Sequence, residues 1–213
     1  MRGGVGMKRN FWLVAPYAAW MALMMTLPPS AAGYAVRGGV SLLLLVLGFR
    51  AVPEFRAAAF RQVARFSAWW VGGLAGLLVL AVWWAPELCP DLFPASVAEG
   101  SPYDPAVCGW PLTVAKLVAS AFVISVAEEL FFRKWLVDFA GFGWMVALFA
   151  VNHWRWDLGW AGRLAFVAEG AFAGLVYGLL AKRYGLFCSI VAHAATNLAL
   201  GLIVILLGQW HFW

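Results

Sequence analysis

An all-α bundle of membrane-spanning helices is the fold class this sequence predicts, and three observations carry it. The 213-residue chain is 64% hydrophobic and only 12% charged, with a mean hydropathy of +0.83. Several of its apolar runs reach the roughly 18–25 residues that cross a bilayer. Those runs are continuous and lack the alternation of a membrane barrel. A spanning segment must satisfy its own backbone in lipid, which leaves helices. The fourteen tryptophans fit interfacial belts and packing between spans. No repeat or composition shift divides the chain, so residues 1–213 read as a single membrane-embedded domain of about seven spans, with its motif-bearing core at about 112–208. The net charge of +5 reads as topological bias, and no basic tract of the nucleic-acid-binding kind is present, so nucleic acid is excluded as a partner.

The elements follow in order. Span 1 covers 11–29 and ends at Pro28-Pro29, because proline lacks the N–H a helix interior needs. The basic start before it resembles the n-region of a signal peptide; the many spans downstream favour a retained helix. Span 2 covers 34–49, with Arg37 near its start. Residues 50–65 interleave Arg50, Arg56, Arg61 and Arg65 with Phe55 and Phe60. They form either a basic amphipathic helix on an anionic leaflet or a solvated loop helix. Span 3 covers 66–85. Residues 86–111 form a proline-rich loop with four acids and no Lys or Arg. Span 4 runs from 112 to about 138, span 5 from about 142 to 156, span 6 from 163 to 181 and span 7 from 186 to 208.

Charge tests this count. With the N-terminus in the cytoplasm, eleven basic residues lie inside (Arg2, Lys8, Arg9, Arg50, Arg56, Arg61, Arg65, Arg133, Lys134, Lys182, Arg183). Four lie outside (Arg37, Lys116, Arg155, Arg163), which together make all fifteen. The short, Trp-rich chain fits a multi-pass protein of a bacterial plasma membrane, with the lipid bilayer itself as a partner. Cys89 and Cys108 share the outer loop and are a candidate disulfide if that compartment is oxidising, whereas Cys188 reads as a buried thiol.

The chemistry concentrates in Ser125-Val126-Ala127-Glu128-Glu129-Leu130-Phe131-Phe132-Arg133. An ionised group at membrane depth costs at least about 2.5 kcal/mol, so such groups pair and face a bundle interior. On a helix Glu129 and Arg133 stand at i and i+4 and pair. Glu128 is rotated about 100° away and left free for other work. His153 falls in span 5 and His193 and Asn197 in span 7. Counted from the cytoplasmic ends, Glu128, His153, His193 and Asn197 all lie roughly 10–17 Å deep, so they can meet. A carboxylate in such a pocket can activate water, and imidazole or amide N–H groups can stabilise an oxyanion. Neither a Gly-x-Ser-x-Gly elbow nor a His-Glu-x-x-His helix is present. Glu169 is expected to pair with Arg163 or Arg155, with a substrate contact as the alternative. Asn152 and Ser125 are candidate supporting donors or simple interhelical bonds, and Lys116 is expected to snorkel.

Glu128-Glu129-x-x-x-Arg133, Phe149-x-x-x-His153 and His193-x-x-x-Asn197, in this order, resemble the CPBP family. These are the CAAX proteases and bacteriocin-processing proteins, also called Abi proteins, which are glutamic intramembrane endopeptidases. The resemblance covers roughly residues 112–200. It implies that Glu128 is the general base assisted by His153, that His193 and Asn197 form the oxyanion hole, and that Glu129 and Arg133 support the site. It implies no cofactor, and a membrane protein or lipidated peptide as substrate. The converting enzymes of the family are longer, which leaves a prenylated CAAX substrate and other C-terminal signals both open. Two rival classes remain: a zinc protease built on the same histidines and carboxylate, and a non-enzymatic membrane scaffold or immunity protein with a polar core.

Overall fold

A computed structural model describes residues 3–60, 63, 65–85, 101–156, 158–210 and 213. Cys89, His211, Arg61 and most of the expected outer loop lie outside the described residues. The described chain is helical without strands. Its helices are α1 (Gly3–Thr26), α2 (Ala31–Ala51), α3 (Pro53–Phe60), α4 (Phe66–Trp84), α5 (Pro105–Cys108), α6 (Trp110–Ala140), α7 (Phe142–Val151), α8 (Trp160–Tyr184) and α9 (Leu186–Leu207). Of these, α2, α4, α6, α8 and α9 are long and apolar enough to cross a membrane. With α1 and α7 they match the seven expected segments one for one.

Local sequence sets the boundaries. Helix α1 stops two residues before Pro28-Pro29, and Ser30 then caps α2 by accepting the Gly33 N–H at 3.0 Å. Single glycines separate α6 from α7 and α8 from α9. Gly141 (φ +90°) and Gly185 (φ +92°) hold a backbone conformation that other residues adopt only under strain. The bundle is apolar on its outside, with Leu43, Leu74, Leu77, Leu78 and Leu164 exposed. That suits a surface solvated by lipid rather than water. In α3, Phe55 is buried and Arg56 exposed.

Small residues bring the helices together, as packing in lipid requires. Gly170, Gly174 and Gly178 form a stripe on α8 against α7. A Cβ at Gly174 would stand 3.1 Å from Phe149 Cδ1. Helix α4 lies along α9, where a Cβ at Gly72 would stand 2.7 Å from the Cys188 carbonyl oxygen, and one at Gly76 would collide with that of Ala192. This approach lets Thr196 Oγ1 donate to the Gly76 carbonyl at 2.8 Å.

Two expectations are corrected. Span 5 is helical only over ten residues, about 15 Å of rise against a hydrocarbon core of about 30 Å, so His153 follows the helix instead of lying in it. Its backbone N–H turns to Ala150 O at 3.0 Å, and its ring takes over the next carbonyl of the ladder, with Nδ1 2.7 Å from Phe149 O. Span 4 is not a regular α-helix. Ala119–Ile124 and Leu130–Leu136 are π-helical and flank one α-helical turn, Ser125–Glu129.

Gly76→Val should lower the thermal midpoint in detergent by roughly 2–12 °C, from about 1–3 kcal/mol of overpacking. Gly73→Ala, whose Cβ meets nothing within 4 Å, should leave the midpoint essentially in place. Differential scanning fluorimetry of both variants checks this.

Candidate active site

The site is built around Glu129, whose side chain is wholly buried. Its Oε1 lies 2.9 Å from His193 Nδ1. Its Oε2 accepts from Ser189 Oγ and lies 3.3 Å from Arg133 Nε. The helical i, i+4 pairing of Glu129 with Arg133 is therefore formed, but the guanidinium N–H groups do not align as hydrogen bonds. Arg133 is held instead by charge and by the face of Phe149, whose centroid is 4.0 Å from Cζ.

His193 is fixed on three sides. Glu129 holds Nδ1, the Tyr177 ring stacks on the imidazole at 4.9 Å, and Phe149 meets it edge-on at 6.0 Å. Tyr177 is itself anchored, since its hydroxyl donates to Thr196 Oγ1 at 2.7 Å. A carboxylate at Nδ1 sets the Nδ1–H tautomer of the imidazole. Nε2 then faces Glu128, with 3.8 Å between Nε2 and Oε2. That distance is too long for a hydrogen bond, and Glu128 accepts none among the described residues.

Glu128, His153, His193 and Asn197 line one cavity of about 230 Å³. Lys116, Ser120 and Ile124, at four-residue spacing above Glu128 on α6, form the same wall. In a regular α-helix twelve residues would turn Lys116 about 120° away from Glu128. An i→i+5 ladder turns less per residue, and the π-helical stretch between them restores the alignment. The cavity thus runs from Glu128 toward the Trp110 end of α6.

The π-helical turn also frees the Ser120 carbonyl, which accepts from Ser125 Oγ at 3.1 Å and from Asn197 Nδ2 at 3.0 Å. Asn197 Nδ2 also reaches Ser125 Oγ at 3.1 Å. Both hydrogens of the amide are therefore engaged in this state. Asn152 is an acceptor, taking the Tyr17 hydroxyl at 2.7 Å. Glu169 is buried on α8 but pairs with neither expected arginine. Arg163 instead donates to the Leu158 and Trp156 carbonyls. Cys108 is a free thiol, 3.5 Å from Thr113 Oγ1. Two supports escaped the sequence reading. Ser189 was findable, being four residues before His193 and eight before Asn197 on one helix face. Tyr177 has no such signal, because its contact is between helices.

The model of the type II CAAX prenyl endopeptidase Rce1-like family matches residues 110–199. Residues 110–199 are Rce1-like. That stretch holds all three motifs and every polar side chain of the cavity's Glu128 end. No curated protein and no solved structure matches the chain.

Glu129→Ala leaves Arg133 buried without its anion, and removing one partner of such a pair costs about 3–5 kcal/mol. The variant should be markedly less thermostable than wild type. Glu129→Leu combined with Arg133→Met should recover most of the loss, because it removes both charges. Thermal unfolding of the single and double variants in one detergent decides this.

Proposed function

We propose that the protein is an intramembrane endopeptidase in which Glu128 activates water to cut a peptide bond near the C-terminus of a membrane-associated or prenylated CAAX-type substrate. The observation that carries this reading is the division of labour between adjacent carboxylates. Glu129 is saturated by Arg133, His193 and Ser189, whereas Glu128 lines the cavity with no hydrogen-bond partner among the described residues.

The geometry supports the following steps. Glu128 takes a proton from water as the water oxygen attacks the scissile carbonyl carbon. His153 gives its Nδ1–H to Phe149 O, so its Nε2 is a lone-pair acceptor for the second hydrogen of that water. The oxyanion forms beside His193 Nε2. With a proton on each nitrogen, His193 gives Nδ1–H to Glu129 and Nε2–H to the oxyanion. Before the proton transfer two carboxylates, one guanidinium and one imidazolium sum to zero charge; after it Glu128 is neutral and the oxyanion takes its place in the same sum, which a low-dielectric site favours. Asn197 exchanges one of its present acceptors, Ser120 O or Ser125 Oγ, for the oxyanion. Collapse breaks the C–N bond, and Glu128 returns its proton to the leaving amine.

The test is a proteoliposome assay on prenylated CAAX peptides and C-terminal transmembrane tails, read by mass spectrometry. Wild type should release a C-terminal fragment. Glu128→Gln should lose at least about 10²–10⁴-fold of the rate while keeping wild-type thermal stability, and His193→Ala should be comparably inactive. Activity should survive a chelator; loss with rescue by zinc would replace this mechanism with a metal-dependent one. Full activity of Glu128→Gln would refute it.

A further inference from the structure

The end of the cavity away from Glu128 is not explained by hydrolysis. Lys116 is 8% exposed and turned inward rather than snorkelling. Its ammonium sits among three aromatic faces: Tyr34 at 4.3 Å, Trp213 at 4.5 Å and Tyr103 at 4.7 Å. Behind it Arg37, 5% exposed, lies over Trp20 and Tyr34, each at 5.2 Å, and its buried Nε has no hydrogen-bond partner. Among the described residues neither cation has a carboxylate partner. Two cations share this end of the bundle, and one of them, Lys116, lines the cavity itself. Aromatic faces hold a cation without neutralising it, and a buried charge favours an anion beside it.

We propose that Lys116, backed by Arg37, anchors the C-terminal carboxylate of the substrate. The inference rests on the protease reading above. Lys116 and Glu128 line the same cavity, so a peptide with its scissile bond at Glu128 and its chain end at Lys116 would occupy both ends of it. An amide in place of the carboxylate would lose the charge pairing.

The experiment compares a farnesylated Cys-Ala-Ala-Met peptide, as free acid and as C-terminal amide, on protein in nanodiscs. Binding is measured by fluorescence polarisation to Glu128→Gln, and cleavage with wild type. The acid should bind at least tenfold more tightly and be cleaved at least tenfold more efficiently in kcat/KM. Adding Lys116→Met should bring the two forms together, and Lys116→Arg should keep part of the difference. Equal affinity for acid and amide, binding of neither, or a preference that survives Lys116→Met overturns the anchor. The acid preference in Glu128→Gln needs no Lys116 variant, so misfolding of that variant cannot obscure it. Tight, acid-selective binding without cleavage by wild type would count against the protease reading alone. Cleavage without acid selectivity would count against the anchor alone.

Discussion

The structure depends on one buried carboxylate. Glu129 sits at membrane depth with no exposure, where an unpaired charge would be prohibitive. Arg133, His193 and Ser189 together make it tolerable, and each comes with a consequence. Arg133 ties it to its own helix and to Phe149 of α7. His193 and Ser189 tie α6 to α9. Ordering these groups fixes an imidazole in one tautomer and aims it at the neighbouring carboxylate. The same interaction that stabilises the bundle thus orients the polar end of the cavity.

Irregular backbone does the rest of the positioning. The π-helical turn over Ala119–Ile124 rotates the wall of α6 so that Lys116 and Glu128 share a face, and it frees the Ser120 carbonyl that holds Asn197. The early end of α7 frees the Phe149 carbonyl that holds His153. Glycine contacts at α4–α9 and α7–α8 bring these helices close enough for Thr196, Tyr177 and His193 to form one connected set. Each functional ring is held by a main-chain or buried side-chain partner, which reduces the reorganisation that catalysis would require.

Much of this was legible in the sequence because hydrophobic run length and helical spacing are local signals. The seven apolar segments, the Glu129–Arg133 spacing, and the His193–Asn197 face follow from periodicity alone. Departures from ideal helix geometry did not. Nothing in Ala119–Ile124 marks a π-helical turn, so the sharing of one cavity wall by Lys116 and Glu128 was not visible and Lys116 read as a snorkelling lysine. Span 5 read as helical to residue 156 because its tryptophans are apolar by composition, while the cap that ends it is made by the His153 ring. The partners of Glu129 on α9 belong to tertiary packing, as does the lack, among the described residues, of an ion pair at Glu169.

If Glu128 hydrolyses a peptide bond in this cavity with His193 facing the carbonyl oxygen, a structure of the Glu128→Gln variant with an uncleaved CAAX peptide bound will show it. The scissile carbonyl oxygen should lie within about 3 Å of His193 Nε2, with the carbonyl carbon facing residue 128. A peptide bound elsewhere, or one whose carbonyl points away from His193, would contradict it.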